Sequence, residues 1–299
     1  MPDTEVTTVR TPNQLGLVLH PRKDVDGAIR AIRDWASKHG IAVGQIAIPG
    51  QPRRMGDAVE VAACDLVVAV GGDGTTLAAL HAGADASRPV LGVAAGSIGI
   101  LTSVHVDDLP AALEQVAEGN WTPRSLPALE ITARTGEVQM AINDFAAIRD
   151  GTGQTITAIR VDDELYARNA GDGLVVATQL GSSAYTMAAG GPILAPGAQG
   201  MVVTPLAHHG GVAPPLVVGP DSRLVLSVEP GYGGSRFEAD GQVLATEAAE
   251  VTVTLRRDYA TMVELGDEEP MLTGLRRRGL LADGPRILVR DKRITASGH

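Results

Sequence analysis

The sequence is poor in cysteine, aromatic residues and lysine, and each shortage excludes a kind of structure. Its one cysteine, Cys64, lies in the apolar stretch 61–70 and is expected to be a buried, inert thiol. A single cysteine excludes an intrachain disulfide and a zinc site built from cysteines. Aromatic residues make up 3% of the chain, so the core must be built from Val, Leu, Ile and Ala. The only lysines are Lys23, Lys38 and Lys292, so arginine carries almost all the positive charge.

Excess positive charge and long apolar runs are also missing. The net charge of −10 and the pI near 5.1 speak against nucleic acid as the main partner, because binding its phosphates needs a basic surface. They leave room for a small phosphorylated ligand held by backbone N–H groups, a few arginines and a metal ion. No apolar run approaches the roughly 20 residues that span a bilayer, and residues 1–11 lack the apolar region of a signal peptide. We therefore expect a cytoplasmic protein without membrane contact.

The first third of the chain alternates between strand and helix patterns. With 299 residues, the chain is longer than one compact core usually allows. Helical spacing is expected to end at Gly40, to begin again at Thr76, and to return over 109–116. Strands are expected over 15–19, 41–48, 66–70 and 90–93. This alternation predicts a parallel sheet with helices on both faces.

From about Asn120 the pattern changes to short, closely spaced strands, which predicts a β-sandwich-like second domain. The tail over 271–281 returns to helical spacing. The expected fold is therefore α/β followed by β: an N-terminal parallel-sheet domain formed by 1–120 plus 268–299, and a β-rich domain formed by 121–267. The C-terminal segment is expected to pack back on the first domain.

The sharpest motif is the turn Gly71-Gly72-Asp73-Gly74-Thr75, which follows a predicted buried strand and opens a helix. Glycines there let the backbone approach an anion, and the helix N-terminus adds unpaired N–H groups. A carboxylate in this position is explained if Asp73 accepts a proton from a substrate hydroxyl or helps to hold Mg²⁺. Spacing alone also permits an ordinary strand-to-helix turn in which Asp73 caps the helix.

A second glycine loop begins at Gly96, after the next predicted strand. Because both loops follow parallel strands, they lie at the same end of the sheet and could line one pocket. Taken alone, the loop at Gly96 is more often a plain turn.

Several polar residues fall at turns of the β-rich half. Asn143 and Asp144 end a predicted strand and could bind the edge of an adenine and a ribose hydroxyl, although a polar strand-end turn explains them as well. Asp240 falls where a hairpin turn is expected. His208 and His209 are adjacent on a strand, so they face opposite sides and rarely share a metal ion.

A longer polar run begins with Asp172, which leads into a strand, and continues over 178–192. Small hydroxylated residues such as Ser183 at the start of a short helix offer N–H and hydroxyl groups to a polar ligand. Ala184 and Tyr185 follow directly. Tyr185 could stack on a ring of the ligand or pack in the core.

Together these runs resemble the NAD kinase family, collinearly over roughly residues 15–280. The turn at Gly71 alone is shared with lipid kinases and phosphofructokinases, whereas the run over 172–192 points to the NAD branch. Further matching segments lie over 96–102, 143–144, 240–242 and 271–278.

The resemblance implies a kinase that transfers a phosphoryl group from ATP or polyphosphate, with Mg²⁺, to the adenosine 2′-hydroxyl of NAD. Asp73 would be the base that takes the proton. The phosphate loop would comprise Gly71, Gly72, Gly74, Thr75 and Gly96. NAD would be bound by Asn143 and Asp144 at adenine and ribose, Asp172 at the nicotinamide carboxamide, and Ser183, Ala184 and Tyr185 along the pocket. The family also implies a homodimer or homotetramer in which a neighbouring subunit completes the active site.

The chain departs from the family pattern around the acceptor. Asp144 stands where the family has Glu, Ala94 where it has Asn, Leu180 where it has Thr, and Ala188 where Ser is common. Lost hydrogen bonds to a buried polar substrate can cost about 1–3 kcal/mol each. Two alternatives therefore stay open: a kinase of this fold acting on another nucleoside or nucleotide, and a non-catalytic NAD(P)-binding regulator. The intact Asp73 argues against the regulator.

Overall fold

The computed structural model describes residues 11–49, 51, 53–245, 249–266 and 269–290. Its N-terminal part is a parallel sheet whose central strand, β3 (Leu66–Gly71), is buried at every residue. The neighbours of this strand are β1 (Gln14–Leu19) and β4 (Val90–Ala94), flanked by β2 (Ala42–Gln45) and the two-residue β5 (Val104–His105). A continuous Val-rich run is typical of a strand covered on both faces.

Three helices cover this sheet: α1 (Asp26–His39), α2 (Asp73–Asp85) and α3 (Leu109–Ala117). Because side chains alternate along a strand, Val68 packs in the cluster that contains α1 and α3, whereas Val67 packs with α2. Gly40 ends α1 with φ 69°, as predicted. The second helix begins at Asp73 and not at Thr76, because an acidic side chain is favourable in a first helical turn.

Two long strands, β6 (Thr122–Ala133) and β17 (Glu250–Glu264), continue the sheet into the β-rich part. They pair antiparallel, and β17 also lies parallel to β4 where Met262 faces Val90. Strands of 12 and 15 residues are longer than the short strands expected for this part of the chain. A register shift between Arg256 and Ala260 in β17 and two prolines in β6 interrupt the side-chain alternation from which strand length is predicted.

Four more strands complete an 11-stranded sheet: β7 (Val138–Ala141), β9 (Thr155–Val161), β10 (Glu164–Gly171) and β14 (Leu224–Glu229). A second, antiparallel sheet has the order β13-β12-β11-β8-β15-β16. Its strands are β8 (Asp144–Arg149), β11 (Gly173–Ala177), β12 (Met201–Leu206), β13 (Leu216–Val218), β15 (Ser235–Ala239) and β16 (Gln242–Val243).

The two sheets pack as the expected β-sandwich around a shared apolar core. Phe145 of β8 and Phe237 of β15 stack there with ring centroids 5.6 Å apart. Strand β8 was not predicted, and the interpretation that Asn143 and Asp144 end a strand is wrong. Strand β7 ends at Ala141 and Asp144 begins β8, so the two strands follow each other with only two residues between them.

The C-terminal helix α5 (Met271–Arg277) packs back on the N-terminal part, as expected. Leu275 is fully buried, and Met271 lines a cavity together with Gly99 and Ile100. A short helix, α4 (Tyr185–Ala188), lies in the β-rich part, and a helical stretch covers 285–290. The described residues leave out two segments of the expected first domain, 1–10 and 291–299. Lys292 lies in the second of these segments. None of the described helices is long and apolar enough to cross a membrane.

Candidate functional site

The glycine turn and the loop after β4 lie against each other, as the parallel strand order predicts. The carboxylate of Asp73, at the first turn of α2, accepts hydrogen bonds from the backbone N–H groups of Ile100 (3.0 Å) and Leu101 (2.9 Å). Glycine is required at two points of this contact. A Cβ on Gly99 would overlap the Asp73 carboxylate, and a Cβ on Gly71 would overlap the side chain of Thr75.

The rest of the glycine turn has open space around it. Gly72 and Gly74 have empty space around the position of a Cβ, and Gly74 is exposed. Thr75 is buried and donates its backbone N–H to Gly72 (2.9 Å), so it supports the turn from below. Gly96 is exposed with φ +130°, a conformation that favours glycine.

Lys23 is a residue at this loop that the sequence interpretation missed. Its ammonium group donates to the Ala95 carbonyl (3.0 Å) and would lie 3.5 Å from a Cβ on Gly96. The signal that could have found it is its rarity, since lysine occurs three times in the chain. The ammonium group places a positive charge beside the loop proposed to bind phosphate.

The turn at Asn143 and Asp144 is held by a buried carboxylate from a different hairpin. Asp240 accepts hydrogen bonds from the backbone N–H groups of Ile142 (2.8 Å), Asn143 (2.7 Å) and Asp144 (3.1 Å). Asp240 and Gly241 form the β15–β16 turn with φ 49° and 74°, so the hairpin expectation is also met. In return, the backbone N–H of Asp240 donates to the Asp144 carbonyl (2.9 Å).

His81 connects this carboxylate to the helix that begins with Asp73. Its Nε2 lies 2.7 Å from Asp240 Oδ2, and its Nδ1 lies 3.1 Å from the Tyr259 hydroxyl. The sequence interpretation missed His81, Tyr259 and this role of Asp240. A lone histidine inside a helix carries no local signal of a partner 159 residues away.

Asp144 itself is 9% exposed. Burial, and then the negative charge of Asp240, raise the pKa of the Asp144 carboxyl to about 7, although the backbone N–H of Tyr185 opposes the shift. The carboxyl therefore titrates in the physiological range. Asp144 begins β8, and pKa shifts of this kind are common in functional sites.

The run over 178–185 closes over the same turn. The Thr178 hydroxyl donates to the Ile142 carbonyl (2.6 Å), and a Cβ on Gly181 would overlap the backbone of Asn143. A 3₁₀ turn, Gly181–Ser183, then leads into α4. The packing explains why a glycine is needed at 181.

The three pocket residues predicted in this run differ in exposure. Ala184 and Tyr185 are exposed, Tyr185 to 38%, so this tyrosine is not a core residue. Ser183 is buried, and its hydroxyl donates to the Leu180 carbonyl (3.0 Å). The Ser183 hydroxyl therefore stabilises the turn, whereas the two residues after it are exposed.

Asp172 and Tyr185 line one cavity of about 520 Å³ in the β-rich part. The cavity also contains two arginines that the sequence interpretation missed. Arg149 Nε lies 2.6 Å from Asp172 Oδ1, while Arg236 pairs with Glu238 (2.7 Å). The cavity therefore presents both acidic and cationic groups to a polar ligand.

Metal binding by the protein alone finds no support in the described part of the chain. It contains no group of three or more His, Cys, Asp or Glu side chains that could hold an ion. His208 and His209 follow β12 and lie in no strand, so the expectation that they are adjacent on a strand is wrong. His209 donates its backbone N–H to the Ala170 carbonyl (2.8 Å).

Two residues that depart from the family pattern are buried. Ala94 is fully buried at the end of β4. Leu180 is 4% exposed and belongs to the same apolar cluster as Leu101 and Ile142. This cluster lies between the loop that holds Asp73 and the turn that Asp240 holds, so the two halves of the site share a packed interior.

Comparison with known proteins identifies the family. The profile of the ATP-NAD kinase N-terminal domain matches residues 16–121, and that of the ATP-NAD kinase C-terminal domain matches residues 143–264. The NAD kinase of Chlorobaculum tepidum is 32% identical over 220 residues, which cover 73% of this chain and 77% of that protein. The NAD kinase of Chlorobium phaeobacteroides is 32% identical over 248 residues, covering 80% and 86%.

Solved structures agree on the fold. An NAD kinase from Archaeoglobus fulgidus in complex with ATP superposes with a TM-score of 0.70 at 24% identity, covering 85% of this chain and 94% of that one. Yeast NADH kinase complexed with NADH gives a TM-score of 0.75 at 19% identity, covering 91% and 89%. The chain therefore belongs to the ATP-NAD kinase family.

Proposed function

We propose that the protein is an NAD kinase, which transfers the terminal phosphoryl group of ATP to the adenosine 2′-hydroxyl of NAD. The observation that carries the proposal is the arrangement around Asp73. This carboxylate stands at the N-terminus of α2, is oriented by two backbone N–H groups of the next loop, and is surrounded by glycines. A helix N-terminus with open backbone suits phosphate, and a fixed carboxylate suits a base.

The proposed reaction needs one proton acceptor. The 2′-oxygen attacks the terminal phosphorus of ATP, its proton passes to Asp73, and ADP leaves. A carboxylate has about four acceptor positions, so two N–H groups leave room for the substrate hydroxyl. Phosphoryl transfer depends mainly on positioning and charge neutralisation, which is why a site without a catalytic cysteine or lysine suffices.

The acceptor side of the proposal rests on groups left free to bind. The side-chain amide of Asn143 makes no hydrogen bond to any described residue. Its carbonyl oxygen and its NH₂ group are therefore both available to an adenine. Asp144 follows it and can meet a ribose hydroxyl. Asp172 and Tyr185 border the cavity of about 520 Å³, which would take the nicotinamide half of NAD.

Mg²⁺ belongs to the proposal as a companion of ATP. Magnesium usually binds through one or two carboxylates together with substrate phosphates, and Asp73 supplies one carboxylate beside the phosphate loop. When bound, the ion would neutralise charge on the transferring phosphoryl group. Lys23 adds a fixed positive charge at the second loop.

Organisation and location are also proposed. Residues 1–120 with 268–299 would bind the donor, and residues 121–267 the acceptor. The family resemblance supports a homodimer or homotetramer, which light scattering of the purified protein tests. It also supports a cytoplasmic location, which fractionation of the source cells tests.

A phosphorylation screen tests the function. The purified protein is incubated with Mg²⁺ and either ATP or polyphosphate, against NAD, NADH and a set of free nucleosides. We expect ATP and NAD to yield NADP. If a nucleoside is phosphorylated and NAD is not, NAD is not the acceptor and that part of the proposal fails. Binding of NAD without any turnover, under all donors and metals, would indicate a regulator in place of an enzyme.

A further inference from the structure

One buried carboxylate in this protein is surrounded by four hydrogen-bond donors from two separate parts of the chain. The Asp240 side chain is 4% exposed. Three donors are the consecutive backbone N–H groups of 142–144, and the fourth is His81 Nε2 at 2.7 Å. Removing a partner from a buried charge is costly, so these four donors hold the Asp240 carboxylate in one place.

The position of these partners joins the two halves of the site. His81 lies on α2, the helix whose first residue is Asp73, eight positions further along the chain. The backbone N–H groups belong to the turn that carries Asn143 and Asp144. A helix is a rigid element, so a contact to its middle also fixes its N-terminus relative to that turn.

We propose that His81 and Asp240 are positioning residues that set the acceptor turn at 142–144 at a fixed distance from Asp73. The proposal rests on the function proposed above, in which that turn binds the acceptor and Asp73 is the base. Neither residue is assigned a proton-transfer step. Their effect is on geometry, and misplacement of a substrate by about 1 Å can cost on the order of 100-fold in rate.

Tyr259 fixes the orientation of the histidine ring. A carboxylate only accepts hydrogen bonds, so Nε2 must carry the hydrogen that is shared with Asp240. Burial, and then the charge of Asp85, raise the pKa of Tyr259 to about 12, so its hydroxyl stays protonated and available to Nδ1. The ring therefore has a partner at each nitrogen and a single preferred orientation.

The test compares His81→Phe, His81→Gln and the wild type. Phe keeps a planar ring but removes the donor to Asp240, while leaving its three backbone partners. Gln restores one N–H donor. His39→Phe is the matched control, because His39 also lies on a helix and contacts a carboxylate, Glu114 at 3.3 Å, at the surface of the N-terminal part.

Steady-state kinetics with NAD varied at saturating ATP give the readout, together with equilibrium binding of ATP. We expect kcat/KM for NAD to fall about 10- to 100-fold in His81→Phe, with partial recovery in His81→Gln. ATP affinity is expected to stay within about two-fold of the wild type in both variants, and His39→Phe is expected to match the wild type.

Two results would overturn the proposal. In the first, His81→Phe retains kcat/KM for NAD within two-fold. In the second, His81→Phe loses ATP binding and NAD turnover equally, which indicates general loss of structure. The wild-type assay separates this test from the test of function: if the wild type phosphorylates another acceptor, the proposed function fails, and the same variant ratios are measured with that acceptor.

Discussion

Replacing Asp144 by asparagine is expected to remove a pH dependence of folding stability. In an unfolded chain this carboxyl ionises near pH 3.8, whereas in the folded protein its pKa is about 7 because it is buried and lies near Asp240. Between these two values the folded protein binds more protons at this site than the unfolded chain does. The folded state therefore loses stability as the pH rises from 3.8 to 7.

The size of the effect follows from the shift. A difference of about 3 pKa units corresponds to about 4 kcal/mol as an upper bound, of which about 3 kcal/mol is expected between pH 5 and pH 8. The assay is urea unfolding of the wild type and Asp144→Asn at both pH values. Asparagine does not titrate, so the stability of the wild type relative to the variant should fall by roughly that amount on going to pH 8.

A relative stability that is the same at pH 5 and pH 8 would refute this reasoning. The titration also has a consequence for binding. If the ionised Asp144 accepts a hydrogen bond from a ribose hydroxyl, KM for NAD should rise as the pH falls below 7 in the wild type. In Asp144→Asn, KM should show no such rise.

Two further substitutions test the packing of the acceptor turn. Gly181→Ala places a Cβ against the backbone of Asn143, so KM for NAD should rise at least about 10-fold. Ligand titrations should show that the affinity for ATP is unchanged. The control is Gly27→Ala in α1, where a Cβ meets nothing within 4 Å and a gain of about 0.5–1 kcal/mol in unfolding free energy is expected. Leu180→Thr should lower the unfolding free energy by about 1–3 kcal/mol, because the threonine hydroxyl would enter an apolar cluster. KM for NAD should not improve in this variant, and a lower KM would contradict the reasoning.

Much of the N-terminal part could be predicted because its signals are local. The apolar run before Gly71 and the helical spacing up to Gly40 each lie within one element. The loop positions followed from one topological rule, that parallel strands end at the same edge of a sheet. The contact between Asp73 and the second loop confirms that rule.

The missed features depend on contacts distant in sequence. Strand β8 could not be separated from β7 by pattern, since only two residues lie between them and the first four residues of β8 are all buried and do not alternate. Asp240 looked like an ordinary turn residue, because its three backbone partners lie 96–98 residues away and His81 lies 159 away. The sequence predicts that the Ser183 hydroxyl is offered to a ligand, but the hydroxyl instead donates to the Leu180 carbonyl. That bond depends on the local turn geometry, which composition does not reveal.

In the proposed reaction, Asp73 takes the proton of the NAD 2′-hydroxyl during transfer from ATP. The most direct test measures NADP formation by Asp73→Asn, together with the equilibrium affinities of this variant for NAD and ATP. We expect NADP formation to fall by about 10²- to 10⁴-fold, while both affinities stay within a few-fold of the wild type. Wild-type turnover in Asp73→Asn would contradict the account.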